Sequence, residues 1–133
     1  MKKLVLSSSY AAFLLHDKLT GLDHEELWVL YMTQRDTLIG MEMLTKGTLS
    51  STLIDVRGIL KHAILNDAVK IIIAHNHPSG DPRPSHCDIR KTRDVQSACQ
   101  LMDITLEDHL ILADEDFYSF SEEKTKPYID LIY

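Results

Sequence analysis

No stretch of this 133-residue sequence is apolar for long enough to cross a bilayer, and its opening, Lys2-Lys3-Leu4-Val5-Leu6, is too brief for a signal peptide. These two absences argue against a membrane protein and set the expectation of a cytoplasmic one. Cysteine is scarce. Cys87 and Cys99 lie twelve positions apart on what reads as one helix, about 18 Å at the helical rise and far beyond disulfide reach. Both are expected to be free thiols. Basic residues are also short, with 14 Lys and Arg against 20 Asp and Glu for a formal net charge of −6. That balance argues against wholesale phosphate binding, because affinity for nucleic acid comes mainly from Lys and Arg displacing counterions. The cluster Arg90, Lys91, Arg93 then reads as a solvated helix face. Internal repeats, low-complexity segments and linkers are lacking too.

What is present is ordinary for a globular chain: 44% hydrophobic and 26% charged residues. The expectation is one domain over residues 1–133, large enough to bury about two-thirds of its unfolded surface. Ser7 to Leu19 reads as a helix, with N-cap candidates at Ser7 to Ser9, core contacts from Tyr10, Phe13 and Leu14, and Gly21 as its end. Leu27 to Met32 is apolar on both alternating faces, as a covered central strand should be. Glu25 stands just before it and shares the parity of Leu27, Val29 and Tyr31.

After a polar turn at Gln34 to Thr37, Leu38 to Leu44 reads as the returning strand of a hairpin, and Lys46 to Thr52 as a small, polar loop. Val56, Ile59, Leu60, Ala63 and Ile64 mark the clearest amphipathic helix, with Thr52 or Asp55 near its start and Asn66-Asp67 at its end. Val69 to Ala74 is a further buried strand. A helix from Ser85 to about Leu101 is expected to bury Ile89, Val95, Ala98, Cys99 and Met102. Ile104 to Ala113 reads as a strand broken by Glu107-Asp108-His109, and Phe117 to Phe120 as a short edge strand. Residues 124–133 form an apolar tail that must pack on something, so a homodimer contact is expected there. The order α-β-β-α-β-α-β-β suggests a mixed sheet between helical layers.

The densest chemistry lies in His75-Asn76-His77-Pro78-Ser79-Gly80-Asp81-Pro82-Arg83-Pro84-Ser85-His86-Cys87-Asp88. Two histidines one residue apart follow a buried strand and share a side if the chain stays extended through them. Imidazole and carboxylate suit a divalent ion such as zinc, and three protein ligands leave a coordination position open for water. The same residues also have a structural reading, for Ser85-x-x-Asp88 is a helix capping box with Ser85 as N-cap. One hydroxyl can accept from a backbone N–H and still donate elsewhere, so both uses of Ser85 stay open.

His-x-His, seven residues, Ser, two residues, Asp resembles the JAMM motif of the MPN/JAB metallohydrolases, and the wording His-Asn-His-Pro-Ser-Gly-Asp-Pro-x-Pro-Ser is similar to the RadC branch of that superfamily. The likeness runs from Leu22 to Leu112, through Asp23 to Met32, Lys46-Gly47-Thr48 and Asp108-His109. It implies a three-layer α/β/α domain with a mixed sheet, related in layering to the cytidine deaminases, whose Pro-Cys-x-x-Cys is not in this chain. It implies that His75, His77 and Asp88 hold one zinc ion, that Glu25, rather than Glu26, is the base for a metal-activated water, and that Ser85 stabilises the developing oxyanion. Glu25 and Glu26 also read simply as polar residues between a helix and a strand. Asp108 and His109 match a RadC feature; one would orient a metal-bound imidazole or contact substrate, or the pair marks a strand-end turn. Cys87 and His86 occupy variable motif positions and are left out.

The expected function is hydrolysis of a peptide or isopeptide bond in a protein or peptide substrate. The alternative is an accessory or binding module linked to DNA repair or mobile elements. Full-length members of that branch carry an N-terminal helix-hairpin-helix portion suited to DNA, which this chain is expected to lack. That expectation and the acidic balance disfavour DNA as the partner.

Overall fold

A computed structural model of the chain describes residues 5–47 and 53–129. Its elements are α1 (Ser8–Leu19), β1 (Glu25–Met32), β2 (Leu38–Gly47), α2 (Val56–Leu65), β3 (Lys70–Asn76), α3 (His86–Leu101), β4 (Thr105–Leu112), β5 (Asp116–Ser119) and β6 (Lys124–Pro127). The six strands form one mixed sheet in the order β2-β1-β3-β4-β5-β6. Only β3 and β4 run parallel, joined by the α3 crossover; every other neighbour is antiparallel. This is the expected layered α/β architecture with one strand more, β6, in a segment whose sequence reads as a tail.

Two cores lie on opposite faces of the sheet. Leu27, Val29 and Tyr31 of β1 and Ile71 and Ile73 of β3 meet Ile59, Leu60 and Ala63 of α2 and Val95 and Cys99 of α3. The alternate residues Leu30, Met32, Ile72, Ala74, Leu110 and Leu112 meet Ala11, Ala12, Leu15 and Leu19 of α1. β1 and β3 are therefore covered on both sides, which is why neither shows a polar face. Among the described residues no helix is long and apolar enough to cross a membrane.

Several local expectations are corrected. Helix α1 packs through Ala11, Ala12, Leu15 and Leu19, while Phe13 is 40% exposed and Tyr10 and Leu14 are only half-buried. The small alanines leave the larger neighbours at the rim of the contact. Helix α3 buries Asp88, Thr92, Val95 and Cys99 along one stripe and exposes Met102, with Ile89 and Ala98 partly covered. Strand β2 runs three residues past Leu44, so Lys46 and Gly47 lie in the sheet; residues 48–52, including Thr48 and the Thr52 cap candidate, lie outside the described residues. In place of Thr52, Asp55 caps α2 by accepting from Gly58 N–H at 3.1 Å.

The tail packs on its own domain as far as it is described. Tyr128 donates its hydroxyl proton to the Ala113 carbonyl and sits against Phe117 and the edge of His16. Residues 130–133, with Leu131, Ile132 and Tyr133, lie outside the described residues.

Candidate metal centre

The site forms where the carboxyl end of β3 meets the start of α3. Leu27 of β1 pairs with His75, and beyond the strand His77 N–H still donates to the Leu112 carbonyl at 3.0 Å. The chain is thus extended through His77, and both imidazoles lie on the α2/α3 side, His75 fully buried and His77 partly exposed. The turn after His77 is held by its own bonds. Gly80, at φ 90°, donates to the His77 carbonyl at 3.1 Å. Arg83 grips the Asp81 carboxylate with contacts of 2.7 and 3.1 Å, holding that carboxyl down at about 2.

Ser85 caps α3: its hydroxyl accepts from Asp88 N–H at 3.0 Å, and Asp88 Oδ2 accepts from Ser85 N–H at 2.9 Å. This reciprocal pair satisfies orphan donors of the first turn and fixes the Asp88 carboxylate. Oδ2 then stands 3.1 Å from His77 Nε2, and Oδ1 stands 3.4 Å from His75 Nε2. The two Nε2 atoms are 3.2 Å apart.

Such spacings fit a metal. Bonds of about 2.0–2.1 Å at tetrahedral angles put neighbouring ligand atoms about 3.3 Å apart. Among the described residues His75, His77 and Asp88 are the one group of three or more such side chains whose donor atoms converge in this way. His77 Nδ1 lies 2.9 Å from the Asp81 carbonyl, which can only accept, so Nδ1 carries the proton and the neutral ring offers Nε2 as a lone pair. Burial pushes the Asp88 carboxyl up, but the neighbouring rings of His75 and His77 and the Ser85 N–H outweigh burial and hold it far below the usual carboxylate range. Burial pulls His77 down, yet Asp88 and the Asp81 carbonyl raise it above the ordinary histidine value. The donor set is therefore an ionised carboxylate and two imidazoles, a set suited to a borderline divalent cation.

Glu25 opens β1 two residues before Leu27, on the same side as His75, and is 7% exposed. Burial raises its carboxyl above the ordinary value, with His75 and His77 opposing and Asp88 adding to the rise. Glu26 points to the other side, where Trp28 Nε1 donates to it at 3.0 Å and His24 Nε2 lies 2.8 Å away. The two adjacent glutamates are thus distinguished by strand parity: one is held by surface partners, and the other faces the histidines. Asn76 is a residue that sequence reasoning misses. Its Nδ2 donates to the His24 carbonyl at 2.9 Å and its Oδ1 accepts from Glu26 N–H at 2.8 Å, so one side chain holds the backbone on both flanks of Glu25.

Strand β4 is continuous rather than broken, but it carries a bulge. Ile71 pairs with Leu106 and Ile72 with Asp108, leaving Glu107 unopposed. The extra residue reverses the parity of the residues after it, relative to a regular strand. His109 consequently turns toward the α2/α3 side, where Nε2 meets His75 Nδ1 at 2.8 Å and Nδ1 meets Thr92 Oγ1 at 2.6 Å, with Phe120 stacked on the ring. Burial holds His109 well below the ordinary histidine value.

Asp108 turns to the α1 side. There it accepts from Ser8 Oγ at 2.7 Å, Ser119 Oγ at 2.6 Å, Ser121 Oγ at 3.0 Å and the amides of His109 and Ser121 at 2.7 and 3.0 Å. Of this adjacent pair, only His109 touches a candidate ligand. Thr92, also missed by sequence reasoning, is foreshadowed by its place one helical turn after Asp88; Asn76 gives no signal beyond its place between two histidines.

A family model described as a RadC-like JAB domain matches residues 5–125. The chain is 36% identical over 124 residues to a protein of Flavobacterium johnsoniae named UPF0758 protein, covering 92% of this chain and 54% of that one. It is 47% identical over 106 residues to a UPF0758 protein of Porphyromonas gingivalis, covering 79% of this chain and 47% of the relative. It is 44% identical over 105 residues to the UPF0758 protein YfjY of Escherichia coli, covering 79% and 66%. The chain thus spans about half to two-thirds of the length of these relatives. With the family model matching from Val5 to Thr125 and the site built around the His75-to-Asp88 motif, the chain belongs to the RadC-like JAB domain family.

Proposed function

We propose that this domain is a zinc-dependent hydrolase of amide bonds, acting on a peptide or isopeptide bond in a protein substrate. The observation that carries the reading is the convergence of His75, His77 and Asp88 beside the buried carboxylate of Glu25 on the adjacent strand. A zinc ion held by the three side chains would supply Lewis-acid activation of water and of the scissile carbonyl.

The remaining work falls to the chain's own groups. Glu25 receives the proton released as water attacks and returns it to the leaving amine; a carboxyl raised by burial is better matched to that exchange than an ordinary surface glutamate. Ser85 accepts from Asp88 N–H, which leaves its own proton to donate to the oxygen on which charge develops. Asn76 keeps Glu25 from drifting by holding the peptide groups on either side of it. A groove lined by Thr45, Val56, Arg57 and Lys91 lies nearby, since Thr45 pairs with Leu27, which in turn pairs with His75. It offers polypeptide flanking the scissile bond a place to lie.

The test has two stages. Metal content of protein purified without chelators is measured by mass spectrometry for the wild type and for His75→Ala, His77→Ala and Asp88→Ala. About one zinc per chain, lost in the three variants, is expected; a wild type without stoichiometric metal sinks the proposal. Wild type and Glu25→Gln are then compared on peptide and isopeptide libraries. Turnover lost in Glu25→Gln with zinc retained is expected, and equal turnover removes Glu25 as base.

A further inference from the structure

We propose that Thr92 and His109 set the tautomer of His75, through a hydrogen-bond chain of one fixed direction that ends on the backbone of Asp88. The inference rests on the reading of His75 and Asp88 as metal ligands and adds to it the means by which His75 is kept ready to bind.

The direction is fixed by proton counting. Thr92 Oγ1 lies 2.6 Å from the Asp88 carbonyl oxygen. Two oxygens that close must have a proton between them, and the carbonyl has none, so the Thr92 hydroxyl donates to it. Having spent its single proton, Thr92 can only accept from His109 Nδ1 at 2.6 Å. His109 therefore carries its proton on Nδ1, and in the neutral ring Nε2 is a bare acceptor. That acceptor lies 2.8 Å from His75 Nδ1, so His75 also carries its proton on Nδ1. Its Nε2 is left as a lone pair aimed between His77 and Asp88. Reversing any one link leaves two lone pairs or two protons face to face inside the buried chain, since His75 and His109 have no exposed surface, whereas the lone pairs of His75 Nε2, His77 Nε2 and Asp88 meet beside the partly exposed His77, where a cation or water can enter between them.

Three elements are tied by this chain: His75 on β3, His109 on β4, and Thr92 with Asp88 on α3. It begins on one candidate ligand and ends on the main chain of another. His77 reaches the same tautomer by a separate route, through the Asp81 carbonyl. Phe120, stacked on His109 with centroids 4.6 Å apart, keeps the central ring from turning. Thr92 and His109 are positioning residues, acting through His75.

The experiment is long-range proton–nitrogen correlation of the histidine rings in metal-free protein at pH 8. His75 and His109 are expected to show the Nδ1–H form in the wild type. Thr92→Val, which keeps the shape and removes the hydroxyl, is expected to leave both rings as tautomer mixtures, and Thr92→Ser to restore the wild-type pattern. Zinc affinity is expected to fall about 10- to 100-fold in Thr92→Val and to recover in Thr92→Ser. A wild-type His75 in the Nε2–H form, or an unchanged ring pattern in folded Thr92→Val, overturns the inference. Because the ring pattern is read without metal, a protein that binds no zinc would defeat the metal reading while leaving this result standing or falling on its own.

Discussion

Asp88 Oδ2 takes a hydrogen bond from Ser85 N–H at 2.9 Å while standing 3.1 Å from His77 Nε2, so the oxygen that closes the first turn of α3 is also turned toward the histidines. Helix cap and candidate ligand are one group. Ser85→Ala removes half of the cap and should cost about 1 kcal/mol, lowering Tm by about 4 °C in a domain of this size. Ser85→Gly, tolerated at an N-cap at a cost of only a few tenths of a kcal/mol, leaves no side-chain donor; Tm and metal content should stay near wild type while turnover drops about 10²–10³-fold. Wild-type turnover in Ser85→Gly would reduce Ser85 to a cap.

The bracket that Asn76 places around Glu25 predicts a local effect. Asn76→Ala leaves the His24 carbonyl and the Glu26 amide without their partner, at a cost of about 1–3 kcal/mol. Hydrogen exchange at Glu26 N–H should accelerate more than at amides elsewhere in β1, and turnover should fall with zinc content unchanged. Unaltered protection at Glu26 would show that the bracket does not hold the strand.

Glu25 should oppose stability in the metal-free protein. Its folded value is raised, chiefly by burial, above the unfolded value of about 4.3. Ionisation at neutral pH therefore destabilises the fold, and stability declines as pH rises through the window between those two values. Glu25→Gln should have a higher Tm than the wild type at pH 7, with the gain fading as pH falls below about 4. Thermal melts across that range check the sign, and a Glu25→Gln protein that melts lower at pH 7 contradicts it.

Asp108→Asn should separate structure from metal binding. The carboxylate accepts from three serine hydroxyls and two amides, and an amide in its place turns an –NH2 group toward donors. A loss of about 2–4 kcal/mol is expected from denaturant unfolding, with zinc affinity of the remaining folded protein unchanged. A variant of wild-type stability with weakened zinc binding would instead make Asp108 part of the metal environment.

Much of the site is legible in the sequence because its chemistry is written in residue types at fixed spacing. His75 and His77 share a side by strand parity, and Ser85 with Asp88 declares a helix start, so neither needs knowledge of distant contacts. The buried strands β1 and β3 are visible as unbroken apolar runs. The face of α1 is not, because close packing chooses alanines over the larger Tyr10 and Phe13, a choice made by the sheet beneath and not by hydrophobicity. Thr92 and Asn76 are marked in sequence by position alone, one turn after Asp88 and between two histidines, since their importance lies in which backbone or ring they meet. The bulge in β4 is half visible: the polar run at Glu107 to His109 signals irregularity, but whether it breaks the strand or inserts one residue depends on pairing with β3.

That inserted residue makes β4 asymmetric toward changes of length. Leu106 and Asp108 already stand opposite the successive residues Ile71 and Ile72, so deleting Glu107 would join them as regular strand neighbours and leave Asp108 with its serines and His109 with His75. Adding one residue at the same place, with the pairing to β3 kept on the Leu106 side, would instead rotate the pair by half a turn. A carboxylate would then face His75 and an imidazole would face Ser8, Ser119 and Ser121. One codon lost there is close to silent for the chemistry, whereas one codon gained exchanges two side chains without altering either of them.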